Sequence, residues 1–240
     1  MKVLIDGDIL VYRTCFVKAD GSQELSLKQA LYRFDNMLDN MLLFDLPDIF
    51  EWQIYLTGSN NFRVKKAVTA PYKGNRKSEK PAFYSEVREH IIKEHGGLLI
   101  NDMEADDMLA IDHYILTDKL NKLEGAIIAT IDKDLDQVEG WHYNFVTKDR
   151  YFLTEEEARL NFYMQFLVGD RVDNIIGKRG IGKVKADKLL NGLKEEEQWK
   201  IIVEELGIER AVENGHLLYM LRTVDDDFSS FLKQKGLQYD

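Results

Sequence analysis

The chemistry legible in this chain belongs to its carboxylates. Glu104-Ala105-Asp106-Asp107 opens an apolar, helix-like run. Asp132-Lys133-Asp134-Leu135-Asp136 follows the strand-like residues 126–131, and Asp6-Gly7-Asp8 follows Lys2–Ile5. Acids at the C-terminal ends of apolar strands converge when those strands lie side by side in a parallel sheet. So many like charges within a few ångströms would drive one another to protonate unless divalent cations sat among them. An oxygen donor set suits Mg2+ or Mn2+ rather than Zn2+. The pattern points to a metal-dependent enzyme acting on phosphodiesters. No His, Ser or Cys constellation supports a covalent nucleophile, and no Gly-x-x-x-x-Gly-Lys-Ser/Thr nucleotide loop is present.

Spacing sharpens these expectations. Glu104 and Asp107, at i and i+3, share a helix face, and Asp106 joins them if Glu104 sits at or before the cap. Acids in a first turn also favour the helix dipole, although three in four residues exceed what that needs. Asp132 and Asp134, at i and i+2, point the same way in extended geometry, and Asp136 with them by the same count; an Asp-rich turn is the alternative. Asp170 and Asp173 can face one metal. In Pro71-Tyr72-Lys73-Gly74-Asn75-Arg76-Lys77, two cations beside an aromatic can grip a phosphate and stack on a base, or can merely form an exposed basic loop. Gly180-Ile181-Gly182 followed by Lys183, Lys185 and Ala186 reads as a helix-hairpin-helix, with a plain helix–turn–helix connection as the alternative. In such a hairpin the glycines admit a phosphate to the backbone and helix N–H groups receive it.

Elements must position these groups. Strands are expected at Lys2–Ile5 (continuing through Ile9–Tyr12), Trp52–Leu56, Leu98–Ile100, Ala126–Ile131 and His142–Val146. Helices are expected at Leu25–Phe44, Pro81–Gly96, Glu104–Thr117, Glu155–Val168, Gln198–Glu205 and Arg210–Val224. His90 and His95 read as surface residues, and Asp225–Asp227 as a solvated acidic stretch. The fold class is α/β: a mainly parallel central sheet with helices on both faces, plus a small C-terminal helical subdomain. The division is 1–164 for the nuclease-type domain and 165–240 for the helical subdomain.

With 240 residues, 45% hydrophobic and 31% charged, the chain can bury a full core. The single cysteine, Cys15, suits a reducing cytoplasm. Asp6 and Asp8 interrupt the apolar start, so it does not read as a signal peptide, and no run approaches a membrane span. A net charge of −10 argues against nucleic acid as a partner until its distribution is considered. Residues 102–136 hold ten acids and three bases; 63–80 hold seven bases and one acid, and 171–188 six bases and two acids. Basic stretches flanking an acidic centre fit a metal-dependent nuclease whose bases meet the phosphate backbone.

Together these residues resemble the bacteriophage branch of the flap endonuclease / 5′→3′ exonuclease family, with its PIN-like domain. Asp6-Gly7, Tyr72-Lys73-Gly74-Asn75-Arg76, Glu104-Ala105-Asp106-Asp107, Asp132-x-Asp134 and Gly169-Asp170-x-x-Asp173-Asn174 occur in the family's order, and the helix-hairpin-helix follows. The resemblance spans roughly residues 2 to 190. It implies cleavage of DNA, and of RNA–DNA hybrids, from a 5′ end or at a 5′ flap, in phage-type replication or DNA processing. It makes Asp6, Glu104, Asp106 and Asp107 carboxylates of one Mg2+ centre and Asp132, Asp134, Asp170 and Asp173 ligands of a second, with Mn2+ able to substitute. Lys73 and Arg76 would contact the scissile phosphate, and Tyr72 would stack on a base. Gly180, Gly182, Lys183 and Lys185 would hold the duplex, with a monovalent cation at the hairpin turn.

Two departures stand out. The family has an aspartate in the loop after the second strand where this chain has Gly58-Ser59. Asp8 or a water would fill that place, or the first metal would bind more weakly. Only 26 residues, 78–103, separate the Arg76-Lys77 pair from Glu104, which predicts an open or short gateway rather than a long arch. The rivals are a PIN-type ribonuclease and a catalytically silent module for branched DNA.

Overall fold

A computed structural model describes residues 1–16, 25–76, 79–120 and 125–237, with the side chains of 119 and 120 left aside. Lys77, the last cation of the expected basic loop, lies outside them. Along the chain run β1 (Lys2–Asp6), α1 (Gly7–Cys15), α2 (Leu27–Asp39), a π-helical turn (Asn40–Asp45) and β2 (Glu51–Thr57). Next come α3 (Arg63–Lys66), α4 (Tyr84–His95), β3 (Leu98–Ile100), α5 (Ala105–Leu120) and β4 (Ala126–Ala129). A 3-10 turn (Lys133–Gln137), β5 (Gly140–Asn144), β6 (Asp149–Leu153) and α6 (Glu155–Val168) follow. The chain closes with β7 (Gly169–Asp170), β8 (Ile175–Ile176), α7 (Lys183–Leu190), α8 (Glu195–Leu206), α9 (Ile208–Leu218) and α10 (Phe228–Lys235). Two compact units result: residues 1–59, 78–132 and 140–152 form the first, and 60–77, 133–139 and 153–240 the second.

The first unit is the expected mainly parallel sheet with helices on both faces. Its strand order is β3-β2-β1-β4-β5-β6, and β1 runs parallel to both β2 and β4. Strands covered on both sides must be apolar at every position, and Val3, Leu4, Ile5, Ile127, Ile128 and Ala129 are fully buried. Val3, Ile5, Ile54, Leu56 and Ile127 share one core with Leu10 and Val11 of α1, Phe34 and Leu38 of α2, and Val87 and Ile91 of α4. The alternating residues Leu4, Tyr55 and Ile128 face the other way, where α5 packs on β1, β2 and β4. The Tyr55 hydroxyl donates to Asp112 of α5. Each fully buried aliphatic side chain contributes roughly 1.5–3 kcal/mol. Three in a row therefore let β1 carry a carboxylate, Asp6, at its buried end.

Sequence and structure differ at several places. Residues 9–12 do not continue β1. Asp6 caps a helix there, accepting from the Ile9 N–H at 3.2 Å, and Leu10 and Val11 turn inward. The expected helix over 25–44 is regular only to Asp39 before its π-helical turn. Residues 149–153 form an edge strand whose mixed polarity hid it. Of the acids at 225–227, Asp225 is exposed as expected, but Asp226 accepts from the Tyr219 hydroxyl at 2.7 Å and Asp227 caps α10 through the Ser230 N–H at 2.7 Å. His90 and His95 are half-buried, both against Asp35.

The second unit gathers α6, α8, α9 and α10 around Phe162, Phe166, Trp199, Phe228 and Phe231, whose rings meet edge-on, tilted or stacked. Arg63, 1% exposed, donates from Nε to the Leu217 carbonyl at 2.9 Å and from Nη2 to that of Tyr219 at 2.8 Å. That satisfies carbonyls the end of α9 leaves over. Among the described residues no helix is long and apolar enough to cross a membrane.

Candidate metal and phosphate sites

In the first unit the chain winds from β1 through β2 to β3 on one side and from β4 through β5 to β6 on the other. The winding reverses between β1 and β4, and clefts of this kind at the strands' carboxyl ends take ligands. Asp6 ends β1 there, 2% exposed. One of its oxygens caps α1, and the other accepts from the Thr130 hydroxyl at 2.8 Å. Thr130, one residue past β4, also accepts from the Asp132 N–H at 2.9 Å, so a single hydroxyl ties both acidic segments together. Burial first, then the charges of Asp8 and Asp132, push the Asp6 carboxyl from an ordinary 3.8 up to about 7. The hydrogen bonds from Thr130 and Ile9 oppose that rise without cancelling it.

Glu104 stands immediately before α5, the cap position that the sharing of one face by three acids requires. Its N–H donates to Asp107 Oδ2 at 3.1 Å; Asp107 is fully buried, Glu104 buried and Asp106 half-buried. The Thr57 hydroxyl fixes the start of α5 by accepting from the Ala105 N–H at 3.0 Å. Every donor in this half is an oxygen, which fits a hard divalent cation.

Asp8 pairs with Arg88 and accepts from the Thr57 N–H at 2.8 Å. At Gly58 a Cβ would lie 2.4 Å from Asn101 Oδ1 and 2.7 Å from the Ile100 carbonyl. Asn101 fills that space, accepting from both the N–H and the hydroxyl of Ser59 at 3.0 Å. Thr130, Arg88 and Asn101 were not singled out from sequence. Only Thr130, a hydroxyl two residues before Asp132, carried a local signal.

The second unit arranges the remaining candidates. Asp173, buried, pairs with Arg76 at 2.6 Å and with Lys73 at 3.5 Å, and accepts from the Tyr72 hydroxyl at 2.7 Å. Tyr72 is itself buried, with the Lys73 ammonium 5.0 Å from its ring centre. Lys73 holds a positive φ of 55°, secured where its N–H donates to the Asp173 carbonyl at 2.9 Å. Asp170 caps its own turn, accepting from the Asp173 N–H at 3.0 Å. The loop that was expected to be basic and the acidic loop thus interlock, cation on carboxylate. Asp134 lies in the 3-10 turn and accepts from Gln165 at 3.2 Å, so Asp134 and Asp136 are not in the extended geometry that i, i+2 spacing assumed. The Asp-rich turn is the form found, because Gln137 closes it by donating to the Asp134 and Leu218 carbonyls at 3.0 and 2.9 Å.

The hairpin turn has Gly180 at a φ of +82°, where a side chain would be strained, and Ile181 buried beneath it. Gly182 precedes α7, with Lys183 and Lys185 exposed in its first turn and Ala186 fully buried.

No family model matches the chain. A 5′-3′ exonuclease of Mycoplasma genitalium is 28% identical over 211 residues, covering 78% of this chain and 70% of that protein. Among solved structures, the bacteriophage T5 5′-exonuclease with bound zinc matches at 18% identity with a TM-score of 0.60, covering 98% of each chain. The T5 D15 protein crystallised with metal ions matches at 16% with a TM-score of 0.58, over 92% of this chain and 89% of that one. The T5 D15 flap endonuclease in complex with DNA and metal ions matches at 17% and 0.57, over 97% of each.

Proposed function

Because this chain has the fold of the 5′→3′ exonuclease / flap endonuclease family and sequence kinship with a 5′-3′ exonuclease, we propose that it is a metal-dependent nuclease. It cuts DNA from 5′ ends or at 5′ flaps, and RNA in RNA–DNA hybrids, in a cytoplasm. The observation that carries this reading is Asp6, a carboxyl buried at the sheet's switch point, where burial first and neighbouring acids second raise its pKa to about 7. That arrangement is costly for a protein without cations and useful for one that binds them.

Of two Mg2+ or Mn2+ ions, one would be held by Asp6, Glu104, Asp106 and Asp107 and the other by Asp132, Asp134, Asp170 and Asp173. When bound, such ions supply an activated water and charge stabilisation at the leaving 3′ oxygen. Lys73 and Arg76 bring cationic charge to the substrate phosphate, exchanging part of their hold on Asp173 for it. Tyr72 orients Asp173 through its hydroxyl in the free protein, and stacking on a base requires its ring to come out of that contact. Gly180, Gly182, Lys183 and Lys185 hold duplex phosphates, in keeping with a helical DNA-binding subdomain over 165–240. A monovalent cation at the hairpin turn belongs to the same reading.

The test is an assay of 5′-labelled duplex, flap and RNA–DNA substrates with Mg2+ and then with chelator. Chelator-sensitive release from the 5′ end or flap is expected. Cutting of RNA alone would favour a PIN-type ribonuclease, and tight binding without cutting a silent module.

A further inference from the structure

A different donor set sits on two helices of the first unit that pack on the face of the sheet opposite α5. Asp35 of α2 and His90 and His95 of α4 come together there. His90 Nε2 lies 2.8 Å and His95 Nε2 2.9 Å from the same Asp35 oxygen, Oδ1. The ligand atoms all fall within 4.8 Å of one another, and among the described residues this is the one group of three or more such side chains so arranged. The two imidazoles stand 5.1 Å apart at 74°. The Phe34 ring packs against both in T-shaped arrangements, its centre 6.2 and 5.3 Å from theirs. The cluster is neither sealed nor fully exposed: the side chains of His90, His95 and Asp35 are 19, 22 and 40% accessible, so an ion can enter.

We infer that Asp35, His90 and His95 form a binding site for one transition-metal ion of the zinc class, separate from the carboxylate sites. The chemistry is that of the donors. Imidazole nitrogen suits Zn2+, Co2+, Ni2+ and Cu2+, whereas Mg2+ and Mn2+ prefer oxygen sets such as the one around Asp6. Two nitrogens and one carboxylate oxygen make three protein ligands, leaving a fourth position for water. Tetrahedral ligands about 2.1 Å from a centre lie roughly 3.4 Å apart. The observed 2.8 and 2.9 Å separations therefore need to open by only about half an ångström, within reach of χ2 adjustments in side chains that are part-exposed. His90 and His95 are five residues apart, not on one stripe of α4; they converge because α2 presents Asp35 between them. A bound ion would therefore tie α2 to α4.

The experiment titrates the full-length, metal-stripped protein with Co2+ and follows the visible absorption of a tetrahedral, nitrogen-ligated ion, then displaces it with Zn2+. The wild type is expected to saturate at one such ion per chain. His95→Gln and Asp35→Asn should weaken binding at least tenfold, since even loss of a group behind a ligand costs 10–100-fold. Asp6→Asn, which disables the carboxylate site instead, should keep the absorption unchanged. Circular dichroism of each variant confirms that it folds. Absence of the tetrahedral band in the wild type would overturn the assignment, as would a band that survives in folded His95→Gln and Asp35→Asn proteins. Either result would leave the nuclease reading standing, because Mg2+-dependent cleavage by His95→Gln is read separately and is expected to match wild type.

Discussion

Asp6→Asn tests whether the acids at the switch point burden the metal-free fold. With its pKa raised from 3.8 to about 7, the wild-type carboxyl binds a proton more tightly folded than unfolded. Its contribution to stability is then fully present below the unfolded pKa and lost as pH rises through the folded one. At 1.36 kcal/mol per pKa unit the whole loss is about 4 kcal/mol, most of it falling between about pH 5 and about pH 8. Asparagine has no proton to lose. It keeps a carbonyl oxygen for the Ile9 N–H, and its amide can face the Thr130 oxygen. Urea unfolding in chelator should show the gap between Asp6→Asn and wild type widening in the variant's favour by a few kcal/mol from about pH 5 to about pH 8. Saturating Mn2+ should stabilise the wild type at the higher pH and leave the variant nearly unchanged, because the ion replaces the proton only where the carboxylate exists. Parallel stability curves for the two proteins across this range would refute the reasoning. So would full Mg2+-dependent cleavage by the variant.

Asp134→Asn should abolish cleavage while leaving DNA binding largely unchanged, as gel-shift and single-turnover assays together would show; normal cutting would remove Asp134 from the ligand set. Lys183→Ala with Lys185→Ala should weaken DNA binding and flatten the slope of log affinity against log salt by about 2, since each phosphate contact contributes about 0.9. Arg63→Ala should destabilise the second unit by about 3 kcal/mol in urea, because the carbonyls of Leu217 and Tyr219 lose buried donors.

Much of the frame could be read from local patterns. Val3–Ile5 and Ala126–Ala129 are apolar at every step, the mark of strands buried on both faces, and each leads towards acids, so the strands and the ends they present to ligands were both visible. The i, i+3 pair Glu104 and Asp107 opened α5 as expected, because a cap and a first turn are local events. The hairpin was legible for the same reason: Gly-Ile-Gly before Lys-Val-Lys specifies a turn within its own few residues.

Other features depend on partners distant in the chain. Asp6 acquires its raised proton affinity first from burial among packed strands and helices, then from Asp8 beside it and Asp132 far along the chain. Asn101 occupies the space a side chain at Gly58 would need, and Asp8 is held by Arg88. Tyr72, Lys73 and Arg76 read as a free basic loop until folding sets Asp173 among them. His90 and His95 read as surface residues because their helix alone gives them no common face, and Asp35 meets them only once α2 packs on α4. Sequence by itself determined the donors and the short-range turns, since those follow from neighbouring side chains and backbone geometry. Tertiary structure alone decided which charge meets which, because electrostatic pairing and desolvation depend on distances that only the packed chain creates.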